Sequence, residues 1–155
     1  MESRLQIKDS NLEYSSNTAK VFWSLPIASI ILISEYTTNE GPQCDDYFLV
    51  FVTIEKDLFY FYTASFYAGG SDATLASLKE LLGSTFELKL TGSTEWDSRV
   101  IWPAEIADSK HFEFKPVRPE TMVQKIKEKL LGPTLEYGIT RPIQEYLRSR
   151  INTIS

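Results

Sequence analysis

Two neighbouring runs, DYFLVFVTI at 46–54 and LFYFYTASFY at 58–67, constrain the fold more than any other part of the chain. In the first, Phe48, Val50, Val52 and Ile54 line one face, and Tyr47, Leu49 and Phe51 fill most of the other. A strand that is apolar on both faces must be covered on both, which places it in the centre of the fold. The second run returns across Glu55-Lys56-Asp57, a connection short enough for an antiparallel hairpin. The chain is therefore expected to build around a buried antiparallel pair.

The rest of the pattern adds layers to that pair. Val21, Trp23 and Leu25 alternate with Lys20, Phe22 and Ser24 until Pro26 breaks the run, and the β-branched segment 28–36 predicts a second strand. Gly69-Gly70 ends the hairpin, and Ser71 or Asp72 is placed to cap a helix over 73–82 whose Leu75, Leu78 and Leu82 share a face; Gly83 stops it. TFELKLT at 85–91 alternates as a strand with one wet face, 98–102 reads as a short strand stopped by Pro103, and HFEFK at 111–115 as a last one with Phe112 and Phe114 inward. Met122, Val123, Ile126 and Leu130 predict a helix over 120–131 ended by Gly132-Pro133, and Thr140 a cap for a final helix over 141–151. Residues 1–18 read as a loosely attached arm. The expected fold is one α+β domain over 1–155, with a mainly antiparallel, partly rolled sheet of about six to seven strands, one internal helix and a C-terminal helical segment at 119–155 holding two helices. A chain of 155 residues can bury a core without disulfides or metal.

Composition narrows the chemistry. Cys44 is the only cysteine and His111 the only histidine, so the chain has neither a disulfide framework nor paired-His or CxxC metal motifs. No cofactor is expected. The net charge is −5, and residues 1–118 hold 10 Lys/Arg against 17 Asp/Glu. That acidic body argues against nucleic acid, whose binding rests on clustered Lys and Arg. With no apolar leader at the start and no run long enough to span a bilayer, the expectation is a cytoplasmic protein with no transmembrane segment.

Few residues suggest chemistry. Glu35, Glu40, Asp45 and Asp46, with Asn39 and Gln43, give one loop many oxygen ligands, but their spacing fits no calcium-loop pattern and a solvated hairpin tip is the expectation. Asp45 and Asp46 are neighbours, so as a catalytic acid–base pair they would point apart. Cys44 beside a carboxylate is a poor nucleophile, and His111 is far from it in sequence. Gly69-Gly70-Ser71-Asp72 lacks the lysine of a phosphate loop. If 96–102 is extended, Trp96, Ser98, Val100 and Trp102 share one face and Asp97, Arg99 and Ile101 the other, and two tryptophans with an arginine match the make-up of binding hot spots. Glu40, Asp45, Asp46, Trp96, Arg99 and Trp102 are thus the candidate partner-binding residues.

The segment FWSLPIASIILISEYTTNEGPQCDDYFLVFVT, with STEWDSRVIWPAEI and HFEF further on, resembles an uncharacterised family of bacterial proteins over about residues 20–115. The order WxLPIxxIxLI, aromatic hairpin, amphipathic helix is also similar to bacterial pleckstrin-homology-like domains, a resemblance that implies a β-rich binding module. The loop that is basic in lipid-binding versions is acidic here. Without a catalytic signature, the leading expectation is a non-enzymatic bacterial module with a protein partner. One form is an immunity-type protein that neutralises a basic toxin or nuclease, since acidity steers such partners. Two other classes stand beside it. One is a small enzyme using Asp45, Asp46, Cys44 or His111. The other is a membrane-surface or lipid-binding module using Arg141, Arg148 and Arg150 with Ile143, Leu147 and Ile151. The same C-terminal helix offers a surface for homo-oligomers.

Overall fold

The computed structural model describes residues 3–39, 45–56, 58–83, 86–91, 93, 96–116, 122 and 135–154. Three strands, β1 (Ser3–Lys8), β2 (Asn11–Ser16) and β3 (Val21–Pro26), form one antiparallel sheet in sequence order. Four more, β4 (Ile30–Thr37), β5 (Tyr47–Glu55), β6 (Leu58–Ser65) and β7 (Asp97–Trp102), form a second in the order β6-β5-β4-β7. Helix α1 (Ser71–Leu82) follows β6. Strands β8 (Phe112–Pro116) and β9 (Leu135–Ile139) pair with each other ahead of helix α2 (Arg141–Ile154). The fold is α+β with antiparallel sheets.

The four-stranded sheet is covered on both faces, as the two-faced apolar pattern of β5 requires. On one face Leu49 and Phe51 meet Leu5, Leu12 and Leu25 of the first sheet and Leu75 and Leu78 of α1. On the other, Val50 and Val52 meet Ile143, Tyr146 and Leu147 of α2. The hydroxyl of Tyr146 donates to the Ile31 carbonyl at 2.9 Å and fixes the helix on the sheet. The apolar face of α2 is thus packed inside its own chain, although a membrane-surface role needs that same face exposed.

Four expectations from sequence are corrected. The first residues are no loose arm: Leu5 and Leu12 are fully buried, because Leu5, Ile7, Leu12 and Tyr14 alternate about a tight turn at Asp9 and Ser10. Both turn residues have positive φ, 53° and 64°, the hand that suits a two-residue hairpin. Second, residues 86–91 form no strand. The amides of Lys89 and Leu90 donate instead to the carboxylate of Glu35, at 2.8 and 3.1 Å. Third, α1 takes no side-chain cap: Gly70 precedes it in a left-handed conformation, and the Ser71 hydroxyl donates back to Ala68. Fourth, Thr140 stands directly before α2 as expected and its carbonyl accepts from the Gln144 amide at 3.0 Å, but its hydroxyl donates to the Lys110 carbonyl. The helix expected over 120–131 lies outside the described residues apart from Met122, which is helical but exposed rather than on a buried stripe. Phe112 packs inward as expected, whereas the Phe114 side chain lies outside the described residues.

Gly70 ties α1 to the first sheet. Its φ is 81°, and a Cβ built there would stand 2.8 Å from the Leu5 carbonyl oxygen. Both facts oppose any side chain. Gly70→Ala is expected to cost about 1–3 kcal/mol in urea unfolding. Gly69→Ala, whose Cβ would meet only an ordinary 3.6 Å contact, is expected to be near neutral.

Candidate functional site

The register of the central sheet decides which candidate residues meet. Asp97 pairs with Thr37, Thr37 with Tyr47, and the Phe66 amide donates to the Tyr47 carbonyl at 2.9 Å. One residue beyond that row stand Trp96, Thr38, Asp46 and Tyr67, with Asp45 next to Asp46. The Thr38 amide donates to the Asp46 carbonyl at 2.9 Å, and the Tyr67 hydroxyl to Asp46 Oδ1 at 2.6 Å. At ~4.8 Å per strand, the four positions span about 14 Å. Tyr67 is 60% and Trp96 37% exposed, and Asp45 is exposed as well. The Asp46 carboxylate pushes the Tyr67 phenol up to about 12, so the phenol remains a neutral donor.

Three of the six candidate residues, Asp45, Asp46 and Trp96, therefore gather at this end of the sheet. Tyr67 joins them from a run read as core strand; its place as the last aromatic before Gly69-Gly70 was the available signal. Glu40 and Cys44 lie outside the described residues. Arg99 and Trp102 go elsewhere. A bulge sets Val100 opposite Ser34 and Trp102 opposite Ile33, with Ile101 as the extra residue. Such a bulge re-aims the next side chain. Trp102 therefore packs with Ile101 on the α1 side while Val100 packs on the α2 side, and the expected face shared by Trp96 and Trp102 is broken.

Arg99 enters the interior. Its guanidinium meets Glu35 at 3.0 Å, the Glu87 carbonyl at 2.8 Å and Asp108 at 2.6 Å. Glu35 was expected at a solvated loop; instead its fully buried carboxylate takes Arg99, the amides of Lys89 and Leu90, and the Tyr47 hydroxyl. Burial first, and then Glu35, pushes the Tyr47 phenol above its usual range. This network ties 86–91 to β4 and β7, with Glu35 and Arg99 buried and Asp108 at its exposed end.

His111 is also fully buried. Its Nδ1 hydrogen-bonds the hydroxyl of Ser34, its ring stacks on Phe112 with centroids 4.0 Å apart, and Nε2 has no partner among the described residues. Burial lowers its pKa to about 4. A serine–histidine contact sealed from solvent has no access for substrate, and so weak a base does not suit neutral-pH catalysis. Ser34 lies four residues along β4 from Thr38, about 13 Å at strand rise, so His111 does not converge with Asp46. Among the described residues no group of three or more His, Cys, Asp or Glu is placed to hold a metal ion, and no helix is long and apolar enough to cross a membrane.

No family model, curated protein or solved structure matches the chain. The exposed end of the sheet, with Asp45, Asp46, Tyr67 and Trp96, is the candidate site on its own geometry.

Proposed function

We propose that the protein is a non-enzymatic protein-interaction module that meets a basic partner through this end of the central sheet. The observation that carries it is the exposed Tyr67, hydrogen-bonded to Asp46 in the same row as the exposed Trp96. Tyrosine and tryptophan are the side chains most enriched where binding energy concentrates. Asp45 and Asp46 add the charge that steers a Lys/Arg-rich surface into place. The net charge of −5 strengthens that steering. The similarity to bacterial pleckstrin-homology-like binding modules and a cytoplasmic setting fit the same reading. An immunity-type role against a basic toxin or nuclease is the form that the charge favours.

The test is a tagged capture from bacterial lysate at low salt, followed by kinetics with the protein retained. Asp45→Lys/Asp46→Lys is expected to slow association about tenfold or more at low salt, an effect that fades as salt rises. Tyr67→Ala is expected to speed dissociation. A partner whose rates ignore all three changes would overturn the reading.

A further inference from the structure

Among the described residues, the four-stranded sheet has one open edge. Its β7 side is closed by the segment behind it: Val100 donates to Ser109 and accepts from Asp108, at 2.8 and 2.9 Å. In the first sheet, β1 is closed by Gly69, which exchanges hydrogen bonds with Ser3 and Leu5 at 2.8 and 2.9 Å. Strand β3 is flanked by Lys20 and ends in Pro26, two residues that blunt an edge. Strand β6 has no such device. Residues 58–67 hold no charge and no proline.

The register states which backbone groups of β6 face outward. Glu55 pairs with Leu58 across a two-residue turn, and the Phe66 amide bonds Tyr47. Even-numbered residues therefore bond β5, and 59, 61, 63 and 65 face away. The far half of this row is occupied. Trp23 Nε1 donates to the Thr63 carbonyl at 3.0 Å, the Ser65 amide donates to the Tyr14 hydroxyl at 3.4 Å, and the Ser65 carbonyl accepts from Ala68 at 3.1 Å. The near half is open: the amides and carbonyls of Phe59 and Phe61 have no partner among the described residues. Around them Leu58, Tyr60 and Phe61 are 59%, 40% and 39% exposed.

We infer that this window pairs with a second copy of the chain, antiparallel and two-fold symmetric about Tyr60. In that register Phe59 of one copy meets Phe61 of the other, twice, and all four open groups on each copy are used. Shifting the axis to Phe61 would require the Thr63 carbonyl that Trp23 already holds; shifting it to Phe59 runs into the turn at Lys56. The chain's own edge is thus the occupant whose open length and uncharged aromatic side chains match the window. Phe59–Phe61 and Tyr60–Tyr60 become cross-strand neighbours, the pairs that stabilise sheets best. Only a few residues take part, so the dimer is of the weak, small-interface kind. It uses the turn half of β6 and leaves Asp45, Asp46, Tyr67 and Trp96 uncovered.

Sedimentation of the full chain from about 1 to 200 µM is expected to show a monomer–dimer equilibrium in the micromolar range. Tyr60→Lys sets two ammonium groups opposite each other and is expected to give monomer throughout. Phe61→Pro removes an outward amide together with the ring that packs on His111, spares the β5 ladder, and is expected to do the same. In a Cys44→Ser background, Tyr60→Cys is expected to form a disulfide-linked dimer on mild oxidation, since residues facing each other without hydrogen bonds lie about 4.5 Å apart. Leu81→Cys, exposed on α1, is expected not to cross-link. The cross-link does not depend on either disrupting variant folding well. Wild-type monomer at every concentration with no Tyr60→Cys cross-link, or a dimer that persists in folded Tyr60→Lys, would overturn the inference.

Discussion

Methionine in place of Arg99 is expected to cost about 3–5 kcal/mol of stability, because it leaves the Glu35 carboxylate buried without its counter-charge. Arg99 is almost fully buried, Glu35 wholly so, and their atoms meet at 3.0 Å. The Tyr47 hydroxyl and the amides of Lys89 and Leu90 stay as donors to Glu35, but neutral donors do not replace a charge in low dielectric. For a domain of this size the loss corresponds to a fall in Tm of roughly 6–20 °C. Urea unfolding measures the free energy. Amide exchange supplies the local readout, since the amides of Lys89 and Leu90 donate to Glu35 and are expected to lose protection first. A cost below about 1 kcal/mol would mean that the pair behaves as an exposed bridge does. Lys89→Ala is the contrast: its ammonium meets Asp108 at 3.1 Å between two exposed side chains, and its loss is expected to change little.

That network also marks where sequence reading stops. The hairpin of β5 and β6 was legible as two apolar runs joined by a short connection, helix α1 because Leu75, Leu78 and Leu82 repeat at helical spacing up to Gly83, and β7 as a short run stopped by Pro103. Leu5, Ile7, Leu12 and Tyr14 carried an alternating signal, hidden by polar neighbours and by a turn made from Asp-Ser rather than Asn-Gly. Residues 86–91 alternate like a strand, yet alternation tells only which side chains turn inward. It cannot tell that the backbone amides bond a carboxylate from 54 and 55 positions earlier. Glu35 looked like part of an acidic loop because its partner Arg99 is 64 residues away. At the candidate site, Asp45, Asp46 and Trp96 were legible by residue type. Their assembly was not, because it depends on the β7-β4-β5-β6 order and on the register that lines up 96, 38, 46 and 67.

The buried histidine gives the second large effect. In the unfolded chain His111 titrates near 6.5; in the fold, burial holds it near 4. Its neighbours are the Ser34 hydroxyl and the rings of Phe61 and Phe112, and the Ser98 hydroxyl accepts from its amide. None carries a charge that would welcome a proton, and a protonated Nε2 would be a buried donor with no acceptor among the described residues. Between these two pKa values the unfolded chain binds the proton and the fold refuses it, so stability rises with pH across this window. At about 1.4 kcal/mol per pH unit, the wild-type protein is expected to lose about 3 kcal/mol as the pH falls from 6.5 to 4. His111→Gln cannot take up that proton, so whatever its absolute stability, its curve is expected to lack this component. Asp108, held below the usual carboxylate range by Arg99 and then Lys89, titrates at lower pH and in both proteins alike. Urea unfolding at half-unit steps gives the two curves, and their difference isolates the histidine. A flat difference between pH 4 and 6.5 would mean that Nε2 finds an acceptor when protonated and that His111 is not sealed from charge. A sloping one would establish that this end of β8 is held shut over a neutral imidazole, which is why the contact with Ser34 packs the fold rather than performing chemistry.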